Sequence, residues 1–142
     1  MPPLNFLRGS IDDWNRPLIR IEATGFFDPL VAFIDTGFNG AIIIDEMQAM
    51  RLGFNIAKKW HARVRLASLQ EESFQLCRGT FPWFGEQAPI TAFVLEETQE
   101  QRRERTARKT EEEILIGTEL LSDCRLEIDF PGRNVLITKQ SS

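Results

Sequence analysis

The residues best suited to chemistry in this sequence are Asp35, Thr36 and Gly37, which directly follow the apolar run 30–34. An unpaired carboxylate at the end of a buried strand is costly, so such an aspartate needs a function or a partner. A positioned carboxylate can act as a general acid or base, and an adjacent glycine allows unusual backbone torsions. The motif therefore predicts carboxylate chemistry, although Asp and Gly are also common in turns that simply end a strand.

The other reactive side chains narrow the possible chemistry. The one histidine, His61, lies in an alternating segment typical of a strand, and no Gly-x-Ser-x-Gly motif is present. The two cysteines, Cys77 and Cys124, are far apart and form neither a disulfide framework nor a metal-binding pair. We expect no metal and no cofactor, so catalysis would depend on carboxylates, hydroxyl groups and the backbone.

The elements that would position Asp35 are mainly short strands. Apolar or alternating segments joined by turn-forming residues predict an all-β fold, mostly strands with one or two short helices. The predicted strands are 18–23, 30–34, 41–44, 74–77, 90–95, 114–117, 126–130 and 135–138, with the last two joined by a turn at 131–134. Strands this short and numerous favour a barrel or a closed sandwich.

One helix is predicted directly after the strand 41–44. Asp45 is a suitable N-cap, and Gly53 suits the left-handed position that ends a helix. Met47, Met50 and Leu52 are expected to form its inward stripe. A second short helix is expected at 118–123.

The length and composition of the chain limit the possible number of domains, binding partners and cellular location. The chain of 142 residues has 42% hydrophobic residues and a net charge of −4, which fits a single domain spanning 1–142 without a basic surface for nucleic acid. No apolar run is long enough to cross a membrane, and the start lacks a signal-peptide core, so a cytoplasmic location is expected. Residues 96–113 contain seven glutamates and five basic residues, which predicts a charged, mobile loop.

Three segments together resemble the retropepsin-like aspartic proteases, especially the small single-domain bacterial members. They are 33–40 (Phe-Ile-Asp-Thr-Gly-Phe-Asn-Gly), 114–121 (Ile-Leu-Ile-Gly-Thr-Glu-Leu-Leu) and the closing strands 125–135, so the resemblance covers roughly 6–137. It implies the closed barrel of the acid protease type and an aspartic endopeptidase. Such proteases resemble one half of pepsin, so the active site would be shared across a homodimer.

The resemblance also implies a role for each motif residue. Asp35 and its dimer mate would share a proton and activate a water molecule. Thr36 would bond across the dimer, and Gly37 would leave room for the substrate backbone. Ile116 and Gly117 would form the second apolar–Gly motif beside the site.

The resemblance further implies a flap that covers the substrate, an extended peptide or protein segment bound as an added strand. Its tip would comprise Ala67, Ser68, Leu69 and Gln70. Bacterial relatives usually carry a glycine at this tip, and this sequence has none. An alternative is therefore a catalytically inactive retropepsin-like dimer that serves as a binding module. Sugar kinases and chaperone ATPases also use an apolar strand followed by Asp-x-Gly, but their two-lobed fold needs a much longer chain.

Overall fold

The computed structural model describes residues 4–56, 60–65, 71–96, 99–100, 103 and 113–140. Strands dominate, as predicted, and the helices are short. The strands are β1 (Phe6–Ile11), β2 (Pro17–Ile21), β3 (Leu30–Ile34), β4 (Ile42–Ile44), β5 (Trp60–Arg65), β6 (Glu71–Trp83), β7 (Glu86–Leu95), β8 (Ile114–Ile116), β9 (Cys124–Asp129) and β10 (Asn134–Lys139). The helices are α1 (Glu46–Leu52) and α2 (Thr118–Leu121).

All ten strands belong to one sheet in the order β5-β6-β7-β4-β8-β3-β2-β1-β10-β9. The prediction of a closed barrel is wrong, because β5 and β9 are the outer strands of this order and do not pair with each other in the described part of the chain. A barrel requires a hydrogen-bonded ladder between its first and last strands. Alternating hydrophobicity indicates which side chains are buried, and an open sheet that folds over itself produces the same alternation as a closed barrel.

The sheet folds over so that its two halves enclose one core. Ile19 and Ile137 come from one half, Phe81 and Val94 from the other, and all four belong to the same buried cluster. Where the halves meet, a Lys139 ammonium lies 5.9 Å from the ring centre of Phe84 in the β6–β7 turn. The strands β3, β4 and β8 run through the middle of this fold, which explains their continuously apolar sequences.

Helix α1 begins and ends as predicted, but it buries a different face. Asp45 accepts the Gln48 amide at 2.8 Å, and the Gln48 side chain accepts the Asp45 amide in a capping box. Gly53 has the left-handed φ of 84°. The expected inward stripe is wrong for Met47 and Met50, which are 52% and 67% exposed, whereas Leu52 packs against the core as predicted. Gln48 and Ala49 are buried instead, because the capping box fixes Gln48 inside.

Other local predictions are confirmed. The turn at 131–134 joins β9 to β10, and Asp129 accepts the Gly132 amide at 3.1 Å. The second short helix, predicted at 118–123, is α2, which ends at Leu121. Most of the charged segment 96–113 lies outside the described residues. Among the residues that are described, no helix combines the length and apolar character needed to span a membrane.

Candidate active site

Asp35 is positioned by the parallel pairing of β3 with β8. Ile34 lies opposite Ile116 in this ladder, and the Asp35 amide donates to the Ile116 carbonyl at 2.9 Å. The Gly37 amide donates to Asp35 Oδ1 at 3.0 Å, and the Phe38 amide donates to the Asp35 carbonyl at 3.2 Å. The chain therefore turns sharply as it leaves β3, and the turn itself holds the carboxylate of Asp35.

The second motif supports this turn from the other side. The Gly117 amide donates to the Ala41 carbonyl at 2.9 Å, and the Thr118 amide donates to the Phe38 carbonyl at 2.8 Å. A Cβ on Gly117 would overlap the carbonyl oxygen of Gly40 and would lie 2.6 Å from that of Phe38. Only glycine allows this approach. The structure thus brings Ile116 and Gly117 next to the Asp35 loop.

The remaining predicted site residues are placed as follows. Thr36 and Gly37 are exposed at the tip of the loop. The flap residues Ala67–Gln70 lie outside the described part of the chain. The strands before and after them, β5 and β6, pair antiparallel up to Arg65 and Glu71. His61 lies in β5. Within the described residues, no three His, Cys, Asp or Glu side chains form a cluster that could hold a metal ion.

Phe38 is a structural residue of the site that sequence reasoning missed. Its side chain is only 5% exposed, and its ring packs edge-on against Phe93 with the ring centres 5.0 Å apart. It belongs to a small cluster with Ile43 and Phe74, separate from the main core. A large aromatic residue directly after Asp-Thr-Gly was the available signal, since a solvated turn gains nothing from one.

The β1–β2 turn, residues 12–16, lies at the same end of the sheet as Asp35, because Leu18 pairs with Phe33. Asp12 Oδ1 accepts the backbone amides of Trp14 and Arg16 at 3.0 and 2.9 Å, and Asp12 Oδ2 accepts Arg16 Nε at 2.8 Å. Desolvation would raise the pKa of Asp12. The hydrogen bonds from Arg16 and Trp14 outweigh it, so this pKa lies below the ordinary value of 3.8.

The lowered pKa gives a pH-dependent prediction for Asp12→Asn. A carboxyl group whose pKa is lower in the folded state stabilises the fold above its unfolded pKa, and this stabilisation is lost as the pH falls through the folded value. We expect Asp12→Asn to lower the free energy of unfolding at about pH 7 and to have little effect at about pH 2. Urea unfolding at both pH values measures the difference. Asp13→Asn is the control, since the Asp13 side chain is 99% exposed. An Asp12→Asn effect independent of pH would contradict the prediction.

Comparisons with known proteins bear on the fold. No family model and no curated protein matches this chain. Among solved structures, the chain is similar to the crystal structure of a retropepsin-like aspartic protease from Rickettsia conorii, with a TM-score of 0.59. The two are 17% identical, and the likeness covers 94% of this chain and 90% of that one. This chain therefore has the fold of a retropepsin-like aspartic protease.

Proposed function

We propose that this protein is an aspartic endopeptidase whose active site is shared by two copies of the chain. The observation that carries the proposal is the position of Asp35. It follows the central strand β3 of a retropepsin-like fold, where backbone hydrogen bonds from Asp35 to Ile116 and from Gly37 to its carboxylate hold it in place. The carboxylate remains partly exposed, so it is accessible to water and substrate.

A second copy supplies what one chain lacks. The sequence contains a single Asp-Thr-Gly, and a twofold axis places the same residue beside itself. Two adjacent carboxylates cannot both ionise easily, so the Asp35 pair shares one proton. The ionised carboxylate takes a proton from the attacking water, and the protonated one polarises the scissile carbonyl. Thr36 and Gly37 are exposed in the single chain, which leaves both available to the partner and the substrate.

The proposed substrate is an extended peptide or protein segment. An extended peptide would lie between the Asp35 loop and the β5–β6 hairpin, with its backbone bound as an added strand. Catalysis needs one ionised and one protonated carboxyl group, so activity should be highest at acidic to neutral pH. No cofactor takes part in this mechanism.

The test is cleavage of an unstructured protein by the purified wild type. We expect products at mildly acidic pH and their suppression by pepstatin, a transition-state mimic of aspartic protease reactions. Sedimentation at high protein concentration, with and without substrate, should show a dimer. If folded protein gives no pepstatin-sensitive cleavage between about pH 3 and 7, the inactive binding module is the better account. A strict monomer under all these conditions would contradict a shared site.

A further inference from the structure

The Arg16 side chain connects three separate segments on the outer face of the sheet. Its Nη1 donates to Glu113 Oε1 at 2.9 Å, and its Nε donates to Asp12 Oδ2 at 2.8 Å. The guanidinium carbon lies 4.1 Å from the ring centre of Phe33 and 5.7 Å from that of Trp14. A planar guanidinium can stack on a ring and bind carboxylates through its edges at the same time.

The three segments are those that position the candidate site. Phe33 lies in β3, two residues before Asp35, and Glu113 immediately precedes β8. These strands pair over only three residues, from Ala32–Ile114 to Ile34–Ile116. A ladder this short contributes few hydrogen bonds. The Arg16 contacts hold both strands to the 12–16 turn: Phe33 lies in the middle of their ladder, and Glu113 lies just before its first pair, at the end opposite the Asp35 amide.

From these contacts we infer that Arg16 is a positioning residue, which holds β3 against β8 and thereby positions the carboxylate of Asp35 that follows β3. It does not touch the reacting atoms. Its effect on catalysis rests on the proposed function, whereas its effect on the β3–β8 ladder does not. The contacts favour a local effect over a general one, because all of them lie within the 12–16 turn and this one pair of strands.

Amide hydrogen exchange tests the effect on the ladder without requiring activity. In Arg16→Met, which keeps the apolar stem and loses the donors, we expect the Asp35 amide to exchange at least about tenfold faster. Amides in the β9–β10 ladder should keep their rates. Arg20→Met is the matched control, since Arg20 is an exposed arginine in β2, the strand that follows the 12–16 turn, and it should change neither set.

Two outcomes would overturn the inference. Equally faster amide exchange in both ladders would make Arg16 a general stabilising residue. An unchanged exchange rate at the Asp35 amide would show that the Arg16 contacts do not stabilise the β3–β8 ladder. Should Arg16→Met fail to fold, Glu113→Gln removes the negative charge from only one of the four groups that Arg16 contacts. It should then accelerate exchange at Asp35 by a smaller factor, and an unchanged rate would count against the inference.

Kinetics supply the second readout. If wild type cleaves peptides, we expect Arg16→Met to lower kcat about tenfold with KM within about twofold, because misplacing a reacting group slows the chemical step more than binding. Arg16→Lys should recover only part of the loss, since a lysine cannot stack and bind two carboxylates together. Faster exchange at the Asp35 amide with an unchanged kcat would refute the positioning role. A wild type without activity would refute the proposed function and leave the exchange result to decide on Arg16.

Discussion

Asp35→Asn is expected to abolish peptide cleavage while the fold stays intact. Asparagine has nearly the same shape as aspartate, and its side-chain oxygen can still accept the Gly37 amide that Asp35 Oδ1 accepts at 3.0 Å. It cannot take a proton from water or share one with a partner carboxylate. Since general acid–base catalysis contributes about 10² to 10⁴ in rate, and both halves of the site change together, kcat/KM should fall by about 10³ or more.

Asp28→Asn is the control for this experiment. Asp28 is an exposed aspartate in the β2–β3 connection, and its replacement should leave kcat/KM within about twofold. Unfolding curves and sedimentation of both variants should match wild type. Full activity in a folded Asp35→Asn protein would place catalysis elsewhere.

Mixing wild type with Asp35→Asn tests whether two chains share one active site. If each active site needs two aspartates, an equal mixture of wild type and Asp35→Asn that exchanges subunits freely retains about a quarter of wild-type activity. If each chain works alone, the mixture retains about half, and the shared-site mechanism is wrong.

Gly117→Ala is expected to have the largest effect on stability. The backbone of Gly117 has φ −102°, which any residue adopts, so the cost is steric. The added methyl group would overlap the Gly40 carbonyl oxygen and meet a Phe38 ring carbon at 2.5 Å. Backbone cannot move aside as a flexible side chain can, so we expect a loss of about 3 kcal/mol or more in the free energy of unfolding. Urea denaturation measures it.

Gly25→Ala separates this steric cost from the general cost of replacing a glycine. Gly25 has φ 87°, and nothing lies within 4 Å of a Cβ built on it. Its replacement forces alanine into the left-handed region but meets no neighbour, so a loss of about 1 kcal/mol is expected. A Gly117→Ala protein as stable as Gly25→Ala would mean that the loop 35–41 can shift away from Gly117.

Local patterns predicted the position of Asp35 and both ends of α1. A continuously apolar strand must end where polar residues begin, and an N-cap acts on the amides two or three residues later. The failure at Met47 and Met50 is also local. Helical periodicity predicted that Met47 and Met50 face inward, but the helix that begins at the capping box buries Gln48 and Ala49 instead.

Contacts between segments that are distant in the sequence could not be predicted from local sequence patterns. Arg16 and Glu113 are 97 positions apart, and nothing in either neighbourhood indicates the other. The approach of Gly117 to the Asp35 loop came from a family resemblance and not from spacing. Whether the two outer strands of the sheet pair with each other was equally impossible to predict, because backbone hydrogen bonds do not depend on residue type. This is why the prediction of a closed barrel is wrong.

The contact between Thr118 and Phe38, residues 80 positions apart, has a consequence for how the protein acquires its site. Closing so long a loop costs chain entropy before any contact repays it, which makes such pairings slow to form. Strands β3 and β4 leave the ribosome long before β8, which lies between them in the sheet. The Asp35 loop therefore stays unsupported until β8 has been synthesised, and until then the nascent chain carries the aspartate without the backbone partners that hold it.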